Sequence, residues 1–281
     1  MNGPVVVGFD GSPESLAATR WAADEARVRG LPLELLQAWP WPKLDVVGSN
    51  EVYVRSREQL VALESDLRVD HRDLQVSAVH LPADPAEALA VAGRNATLLV
   101  LGSRGLGTVH GFLVGSVSQE VLRRATCPVL LVRASGGGTG GPVLVGFDLG
   151  RPADEVLAFA FWAAAARTAP LRVVHVWEPP AAIKYLSYDA TGHAGKDLAP
   201  EERARLDGAL EPWRARHPEV DVTADLVHGN TAVELTAAAQ TARLLVLGRR
   251  IRQMPLGAHL GPVAHAAIHH VDCPVAIVPH G

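Results

Sequence analysis

The sequence has few cysteines, no long apolar run and no excess of basic residues. Its two cysteines, Cys127 and Cys273, occupy equivalent places in two related segments. A disulfide would therefore have to join separate domains, and we expect two buried, reduced thiols instead. No apolar run approaches membrane-spanning length and no basic leader opens the sequence, so the cytoplasm is the expected location. A formal net charge of −4 without a basic cluster argues against a nucleic-acid partner.

The composition is that of a folded globular protein. Of the 281 residues, 48% are hydrophobic and 20% are charged, which argues against an intrinsically disordered chain. The length is sufficient for two ordinary domains.

The sequence contains an internal duplication. Residues 97–102 (TLLVLG) are matched by residues 243–248 (RLLVLG), and residues 5–10 (VVVGFD) by residues 143–148 (VLVGFD). Copies that share a fold but differ at particular positions separate the residues that serve the fold from those that serve a site.

A glycine-rich stretch lies between the two copies and is typical of a flexible linker. We therefore expect a first domain at 1–134, called repeat one, a linker at 135–141, and a second domain at 142–281, called repeat two. Repeat two is longer by eight residues, which we place near a surface loop at 189–195.

Five apolar runs in repeat one alternate with helical patterns. They cover residues 4–9, 33–39, 74–80, 97–101 and 128–132. Continuous apolar strands are typical of sheets that are covered on both faces. The predicted fold class is therefore α/β, with each repeat forming a five-stranded parallel sheet with helices on both faces, as in Rossmann-like proteins.

The first helix has a clear start signal. Ser12 is the expected N-cap and Pro13 fits the first turn. The expected apolar stripe consists of Leu16, Ala17, Trp21 and Ala22. The equivalent helix of repeat two is predicted at about 153–166, so that Asp10 and Asp148 each follow a strand at its carboxyl end, where α/β sheets bind ligands.

A glycine-rich segment follows the fourth strand. Five glycines fall within the fourteen positions 102–115, directly before a predicted helix. Glycine lets backbone N–H groups approach an anion, and a helix N-terminus adds unpaired N–H groups. Ser116 and Ser118 add hydroxyl donors and Arg104 a positive charge, so the segment predicts a phosphate-binding cradle.

The glycine-rich segment has other possible interpretations. The glycines could instead serve packing alone. The segment is not a Walker loop, because no Gly-Lys-Ser/Thr follows, and it is not a Rossmann fingerprint beginning at Gly105, because His110 stands where glycine is needed.

The spacing of Gly102, Gly105, Gly115 and Ser116, Gly-x2-Gly-x9-Gly-Ser, resembles that of tandem universal stress proteins of the ATP-binding type. Further segments carry the resemblance over nearly the whole chain. They are residues 7–12 (VGFDGS), 84–89 (DPAEAL) and 127–132 (CPVLLV). The resemblance implies an adenine nucleotide α-hydrolase-like fold and ATP, with Mg2+, as the ligand.

The resemblance also implies which residues bind the nucleotide. Asp10 and the Gly8 backbone would border the nucleoside or a nucleotide-bound magnesium, and Ala38 would offer backbone groups to adenine. The residues expected to line the ribose and phosphates are Leu101, Gly102, Arg104, Gly105, Gly115, Ser116, Val117 and Ser118. An alternative for Asp10 is charge compensation at a helix start.

Repeat two departs from this pattern. Ile251 and Gln253 stand where Gly105 and Gly107 are expected, and Pro262 and Ala264 replace the two serines. Ile resists positive φ and proline lacks a backbone donor. The expected weaker second site consists of Asp148, Val176, Gly248, Arg250 and Gly261, with Arg249 and Arg252 as flanking charges.

Histidines raise the possibility of a metal site. His265 and His269 have the i, i+4 spacing that suits zinc. Solvated or capping histidines are nevertheless favoured, because the equivalent positions of repeat one are Gln119 and Arg123, and we expect no metal held by the protein alone. His80 and His175 are interpreted as satisfied core histidines.

Catalysis is not predicted beyond a weak ATPase. ATP hydrolysis needs a positioned base, and Asp10 is the one acid that could be assigned to it. The leading hypothesis is a nucleotide-dependent signalling module of the stress response. The alternatives are an enzyme that uses ATP for adenylation, phosphoryl transfer or slow hydrolysis, and a nucleotide-free dimerisation scaffold.

Two short apolar strands, at 129–132 and 275–278, suggest association, because each would be exposed at a sheet edge in an isolated repeat. The resemblance implies that they pair between repeats within the chain, and that a homodimer also forms.

Overall fold

The computed structural model describes residues 3–39, 49–103, 115–134, 140–177, 199–251 and 260–281. The first half of the chain forms strands β1 (Val5–Gly8), β2 (Leu33–Ala38), β3 (Val76–Leu81), β4 (Leu98–Ser103) and β5 (Val129–Arg133). The second half forms β6 (Val143–Gly146), β7 (Leu171–Trp177), β8 (Val222–His228), β9 (Leu244–Arg250) and β10 (Val275–His280).

Helices connect most of these strands. Repeat one contains α1 (Pro13–Arg29), α2 (Ser49–Asp70), α3 (Pro85–Ala92) and α4 (Ser116–Arg124). Repeat two contains α5 (Asp154–Ala165), α6 (Ala199–Arg216), α7 (Thr231–Ala238), followed by a 3₁₀ turn (Ala239–Thr241), and α8 (Pro262–His270). The predicted α/β fold is confirmed. The predicted surface loop at 189–195 lies outside the described residues, as does most of the linker.

The strands form one ten-stranded sheet in the order β3-β2-β1-β4-β5-β10-β9-β6-β7-β8. Each half is parallel throughout, and the halves join through the antiparallel pair β5 and β10, in which Leu130 lies opposite Ala276. The predicted pairing of the last strands within the chain is therefore present, and it closes the edge that each isolated repeat would expose.

The first helix begins as the sequence predicts, because the Ser12 hydroxyl accepts a hydrogen bond from the N–H of Ser15 at 3.2 Å. Its buried face differs from the predicted stripe. Ala18, Ala22 and Ala26 are fully buried, whereas Trp21 is only half-buried. Leu16 and Ala17 are also half-buried, and both pack against the core on the first face of the sheet.

Two apolar cores cover the two faces of the sheet. Helices α1, α2, α5 and α6 pack on the first face, around Val7, Val100, Val145 and Phe161. Helices α3, α4, α7 and α8 pack on the second face, around Leu99, Leu122 and Ile277. Both cores run across the junction of the repeats, so the junction is packed from both sides.

Both cysteines are buried and reduced, as predicted. Burial raises the pKa of Cys127 to about 11 and that of Cys273 to about 12. None of the described helices is long and apolar enough to cross a membrane.

Candidate functional site

The carboxyl ends of β1 and β4 form the candidate site of repeat one. β1 lies between β2 and β4, so the chain leaves β1 in one direction and later returns on its other side. Such a switch point leaves a crevice beyond the strand ends. The structure brings Gly8, Asp10, Ala38 and Gly102 to this edge.

Two of the predicted site glycines are needed for packing. A Cβ on Gly8 would lie 2.8 Å from the Cδ2 atom of Leu101. A Cβ on Gly102 would lie 2.7 Å from the backbone N of Ser15, in the first turn of α1. These glycines therefore set the distance between the strands and their neighbours, which supports the packing interpretation at these positions.

Asp10 has a local structural role. One of its carboxylate oxygens accepts the backbone N–H of Ser12 at 2.9 Å, and the residue is exposed. Asp148 repeats the arrangement by accepting the N–H of Gly150 at 2.9 Å. Each carboxylate thus shapes the turn before a helix, and its exposure still leaves it at the mouth of the crevice.

Gly115 differs from the packing glycines. It is the N-cap of α4, and none of the described heavy atoms lies within 4 Å of a Cβ built on it. A helix leaves its first N–H groups without intrahelical partners, and within the described chain no side chain caps this helix. The backbone donors of Ser116, Val117 and Ser118 therefore begin where no atom of the described residues lies close to Gly115.

The side chains around this helix start are arranged differently from the prediction. Ser116 is exposed, whereas Ser118 is buried. Leu101 is also buried and packs on Gly8, which leaves its backbone as the part that could meet a ligand. Arg104 and Gly105 lie outside the described residues.

Sequence reasoning missed Gln37 in β2. Its side chain is buried, and its Oε1 atom has no hydrogen-bond partner among the described residues. A buried polar group without a partner is unusual. The signal in the sequence was a single amide in a strand whose other residues, apart from Glu34, are apolar, directly before Ala38.

A cavity of about 590 Å3 lies at the equivalent edge of repeat two. Its walls include all five residues of the predicted weaker site: Asp148, Val176, Gly248, Arg250 and Gly261. Further lining residues are Phe147, Arg151, His175, Leu235, Arg249 and His280. A volume of this size falls within the range of small-molecule sites, so the degenerate motif has not closed the crevice.

The late start of α5 contributes to this cavity. Arg151 is equivalent to Pro13, the first residue of α1, but α5 begins only at Asp154. Where the first turn of α1 lies on Gly102, the atoms nearest to a Cβ on Gly248 belong to the side chains of His280 and Val156, at 3.0 and 3.1 Å. Gly248 is thus covered by side chains, whereas Gly102 is covered by the backbone of a helix.

The phosphate end of repeat two is altered as the sequence predicts. Pro262 occupies the first turn of α8 and Ala264 is buried, so the hydroxyls of repeat one are missing at both positions. Gly261 retains open space around its Cβ position among the described residues. The start of α8 therefore has fewer potential donors than the start of α4, because Pro262 has neither a hydroxyl nor a backbone N–H.

Arg249 does not supply the free positive charge that the sequence suggested. Its side chain is 5% exposed and donates to the backbone carbonyls of Arg123, at 3.4 Å, and of Ala125, at the end of α4 in repeat one. Burial lowers the pKa of this guanidinium, but arginine stays charged at neutral pH. Arg250 remains exposed at the cavity.

The histidine pair of α8 forms no metal site with other described residues. The rings of His265 and His269 are 4.5 Å apart, and His269 is buried rather than solvated. Burial, and then repulsion from His265, His270 and Arg133, lowers the pKa of His269. His269 therefore differs from the expected solvated or capping histidine, whereas His265 is exposed, as expected.

The two strand histidines differ. The Nδ1 atom of His175 donates to the carbonyl of Phe147 at 2.8 Å, so this buried residue is a satisfied core histidine, as predicted. His80 is half-buried and its Nε2 atom lies 3.4 Å from the Ser56 hydroxyl, while its Nδ1 atom has no partner among the described residues. Burial, followed by the charge of Arg57, lowers the pKa of His80.

Comparison with known proteins gives consistent results for both halves. A family model described as the universal stress protein family matches residues 1–133 and 141–279. Universal stress protein Rv2005c of Mycobacterium tuberculosis is 31% identical over 288 residues, covering 97% of this chain and 96% of that protein. A universal stress protein of Mycolicibacterium smegmatis is 31% identical over 293 residues, covering 98% and 96%. The crystal structure of a universal stress protein from Archaeoglobus fulgidus is similar in fold over the full length of both chains, with a TM-score of 0.77 and 19% identity.

Proposed function

The chain belongs to the universal stress protein family, and we propose that it binds ATP in repeat one and acts as a nucleotide-dependent signalling module of the stress response. Repeat two is a related site with weakened phosphate binding. The downstream effect of binding would be carried by a protein partner rather than by a chemical product.

One observation carries this proposal. Among the described residues, no atom lies within 4 Å of a Cβ built on Gly115 and no side chain caps the backbone donors of α4, whereas Gly8 and Gly102 are enclosed by packing. An uncapped helix N-terminus at a switch point suits a phosphate. The glycine and serine spacing of the ATP-binding type begins at Gly102 and ends at this helix.

Magnesium would be bound together with the phosphates. The described residues contain no group of three or more potential metal-binding side chains, and Mg2+ usually takes one or two carboxylates together with substrate phosphates. Asp10, exposed at the mouth of the crevice, is the carboxylate that fits this role. The ion would then leave with the nucleotide.

Binding rather than turnover is proposed as the function. The exposed Asp10 already accepts a hydrogen bond from the Ser12 backbone, which makes it a poor base for an attacking water. At most, slow ATP hydrolysis would accompany binding. We further propose that the two domains span residues 1–134 and 142–281. The protein would be cytoplasmic and would form a homodimer.

The test is the nucleotide content of freshly purified protein. Nucleotide released by acid would be identified by mass spectrometry and expressed as moles per chain. We expect about one ATP per wild-type chain and a loss of most of it in Gly115→Val, because the added side chain would enter the open space before α4.

Two matched variants show where the nucleotide is bound. Gly208 lies on the exposed side of α6 and also has open space at its Cβ position among the described residues. Gly208→Val therefore controls for the general effect of replacing a helix glycine by valine, away from the site. Gly261→Val makes the same change in repeat two. Loss of ATP in Gly261→Val but not in Gly115→Val would reverse the assignment, and a wild type that neither contains nor takes up ATP would refute it.

A further inference from the structure

The two repeats exchange arginines across their junction. Arg249, at the end of β9 in repeat two, donates to the carbonyls of Arg123 and Ala125 at the carboxyl end of α4. Arg133, at the end of β5 in repeat one, donates to the carbonyl of Ile268 near the carboxyl end of α8 at 3.2 Å. Each arginine therefore binds the helix that begins at the phosphate end of the other repeat's site.

The exchange is not a product of sequence duplication. Arg133 aligns with Pro279 and Arg249 aligns with Ser103, so the two contacts use different positions in the two repeats. Both side chains are almost fully buried, at 6% and 5% exposure. Burial of a charge is costly unless hydrogen bonds compensate for it, and a cation at a helix carboxyl end is favoured by the unpaired carbonyls there.

We propose that Arg249 is a positioning residue for the nucleotide site of repeat one, and that Arg133 has the same role for the cavity of repeat two. This inference rests on the proposed function. Arg249 binds the last turn of α4, and Gly115 and Ser116 lie at the first turn of the same nine-residue helix. Because so short a helix moves as a unit, fixing its end also fixes the backbone donors at its start.

In this arrangement, repeat two would support nucleotide binding in repeat one even though its own site is weakened. Arg249 is also one of the residues that line the cavity of repeat two. ATP binding in repeat one would then depend on a side chain that repeat two supplies, and an isolated repeat one would lack that support. Such linkage between sites typically amounts to a 5- to 150-fold change in affinity.

The test compares Arg249→Met with Arg133→Met by ATP titration of the full chain. The two variants remove the same kind of contact, at similar burial, from the same junction. We expect Arg249→Met to weaken ATP binding at repeat one by about 5-fold or more, and Arg133→Met to leave it within about 2-fold. Equal losses in both variants, or no loss in Arg249→Met, would overturn the proposal.

The two cysteines provide a readout that needs no nucleotide. Cys127 is the third residue after the end of α4, and Cys273 is the third after the end of α8; both are buried. Arg249→Met should speed the labelling of Cys127 by a thiol reagent and leave Cys273 protected, and Arg133→Met should do the reverse. Uniform exposure of both thiols would indicate general unfolding and would refute the specific role.

If Arg249→Met does not fold, Arg249→Lys can be tested in its place. Lysine keeps the charge but replaces the fork of donors by a single ammonium, so partial protection of Cys127 and intermediate ATP affinity are expected. Wild-type affinity in Arg249→Lys would contradict a need for the two carbonyl contacts. If the wild type bound no ATP, the proposed function would fail, and the labelling pattern would still decide whether Arg249 holds α4.

Discussion

Arg29 and Arg167 occupy equivalent positions in the two repeats and share one carboxylate, that of Glu25. The Nε atom of Arg29 donates to Glu25 at 2.8 Å, and Arg167 donates to its other oxygen. The carboxylate is 1% exposed, and the equivalent residue of repeat two is Ala163. One acid of repeat one therefore joins α1 to Arg167, which lies just after the end of α5, on the first face of the sheet.

Aromatic rings complete this contact. The guanidinium of Arg29 lies 3.3 Å from the ring centre of Trp162, and that of Arg167 lies 4.7 Å from that of Trp21. Each arginine thus stacks on a tryptophan of the other repeat, as cations do on aromatic faces. Together with Arg133 and Arg249 on the second face, the junction is fixed by arginines on both sides of the β5 and β10 pair.

Glu25→Gln should destabilise the protein strongly. The substitution leaves two guanidinium groups close together without their shared carboxylate, and breaking a buried ion pair by removing one partner typically costs about 3–5 kcal/mol. Urea unfolding at neutral pH would measure the loss. Asp24→Asn is the matched control, since Asp24 is exposed and lies 3.6 Å from Arg27; a similar loss in both variants would contradict the special role of Glu25.

The two kinds of site glycine should respond differently to alanine. Gly102→Ala places a Cβ atom 2.7 Å from the backbone of α1, and such overpacking typically costs about 1–3 kcal/mol. Gly115→Ala adds a methyl group where no described atom lies within 4 Å, so its cost should be limited to the preference of an N-cap for glycine over alanine, about 0.5–1 kcal/mol. Thermal unfolding without added nucleotide would compare them, and equal destabilisation would mean that Gly115 also serves packing.

Much of the fold could be predicted from the sequence, because strand positions and helix starts depend on local patterns. The β1 and β4 runs, and the capping of α1 by Ser12, follow from residues close to one another in the chain. The cradle was proposed from the same kind of local pattern, one continuous glycine-rich segment before a helix, and it stays a prediction because residues 104–114 lie outside the described residues.

The contacts between repeats could not be predicted in this way. Arg249 and Ala125 are 124 positions apart, and no local pattern shows that a charged residue at a strand end will be buried against a helix of the other repeat. The place of the cavity in repeat two, in contrast, was indicated by the sequence, because all five residues predicted for the weaker site line it. The late start of α5 was also indicated, because its predicted range of about 153–166 agrees with the observed Asp154–Ala165.

The buried thiols should make the protein less stable in alkali. Burial raises the pKa of Cys127 from 9.0 to about 11 and that of Cys273 to about 12, so the folded protein retains protons that the unfolded chain loses. This contribution to stability is fully present below pH 9 and is lost as the pH rises from 9 to 12. Few other groups titrate in this range, since the chain has three tyrosines and three lysines.

Urea unfolding at pH 8 and at pH 10.5 would measure this effect. The double variant Cys127→Ala and Cys273→Ala should lose less stability between the two values than the wild type does. Parallel losses would show that the thiols are ionised as easily in the folded protein as in the unfolded chain.

The cradle of repeat two should be restorable. The cavity is already present and Gly261 already faces open space within the described structure, so what repeat two lacks is the set of donors at the start of α8. Pro262→Ser combined with Ile251→Gly would return a backbone N–H, a hydroxyl and the conformational freedom of glycine to the positions equivalent to Ser116 and Gly105.

We expect this double variant to raise the ATP content from about one to about two molecules per chain, measured by acid release and mass spectrometry after incubation with Mg2+ and ATP. Pro262→Ala is the matched control, because it restores the N–H without the hydroxyl and leaves Ile251 in place, and should give an intermediate value. A content that stays at one would mean that the opening around Gly248, where His280 and Val156 replace the first turn of a helix, is shaped for a ligand other than ATP.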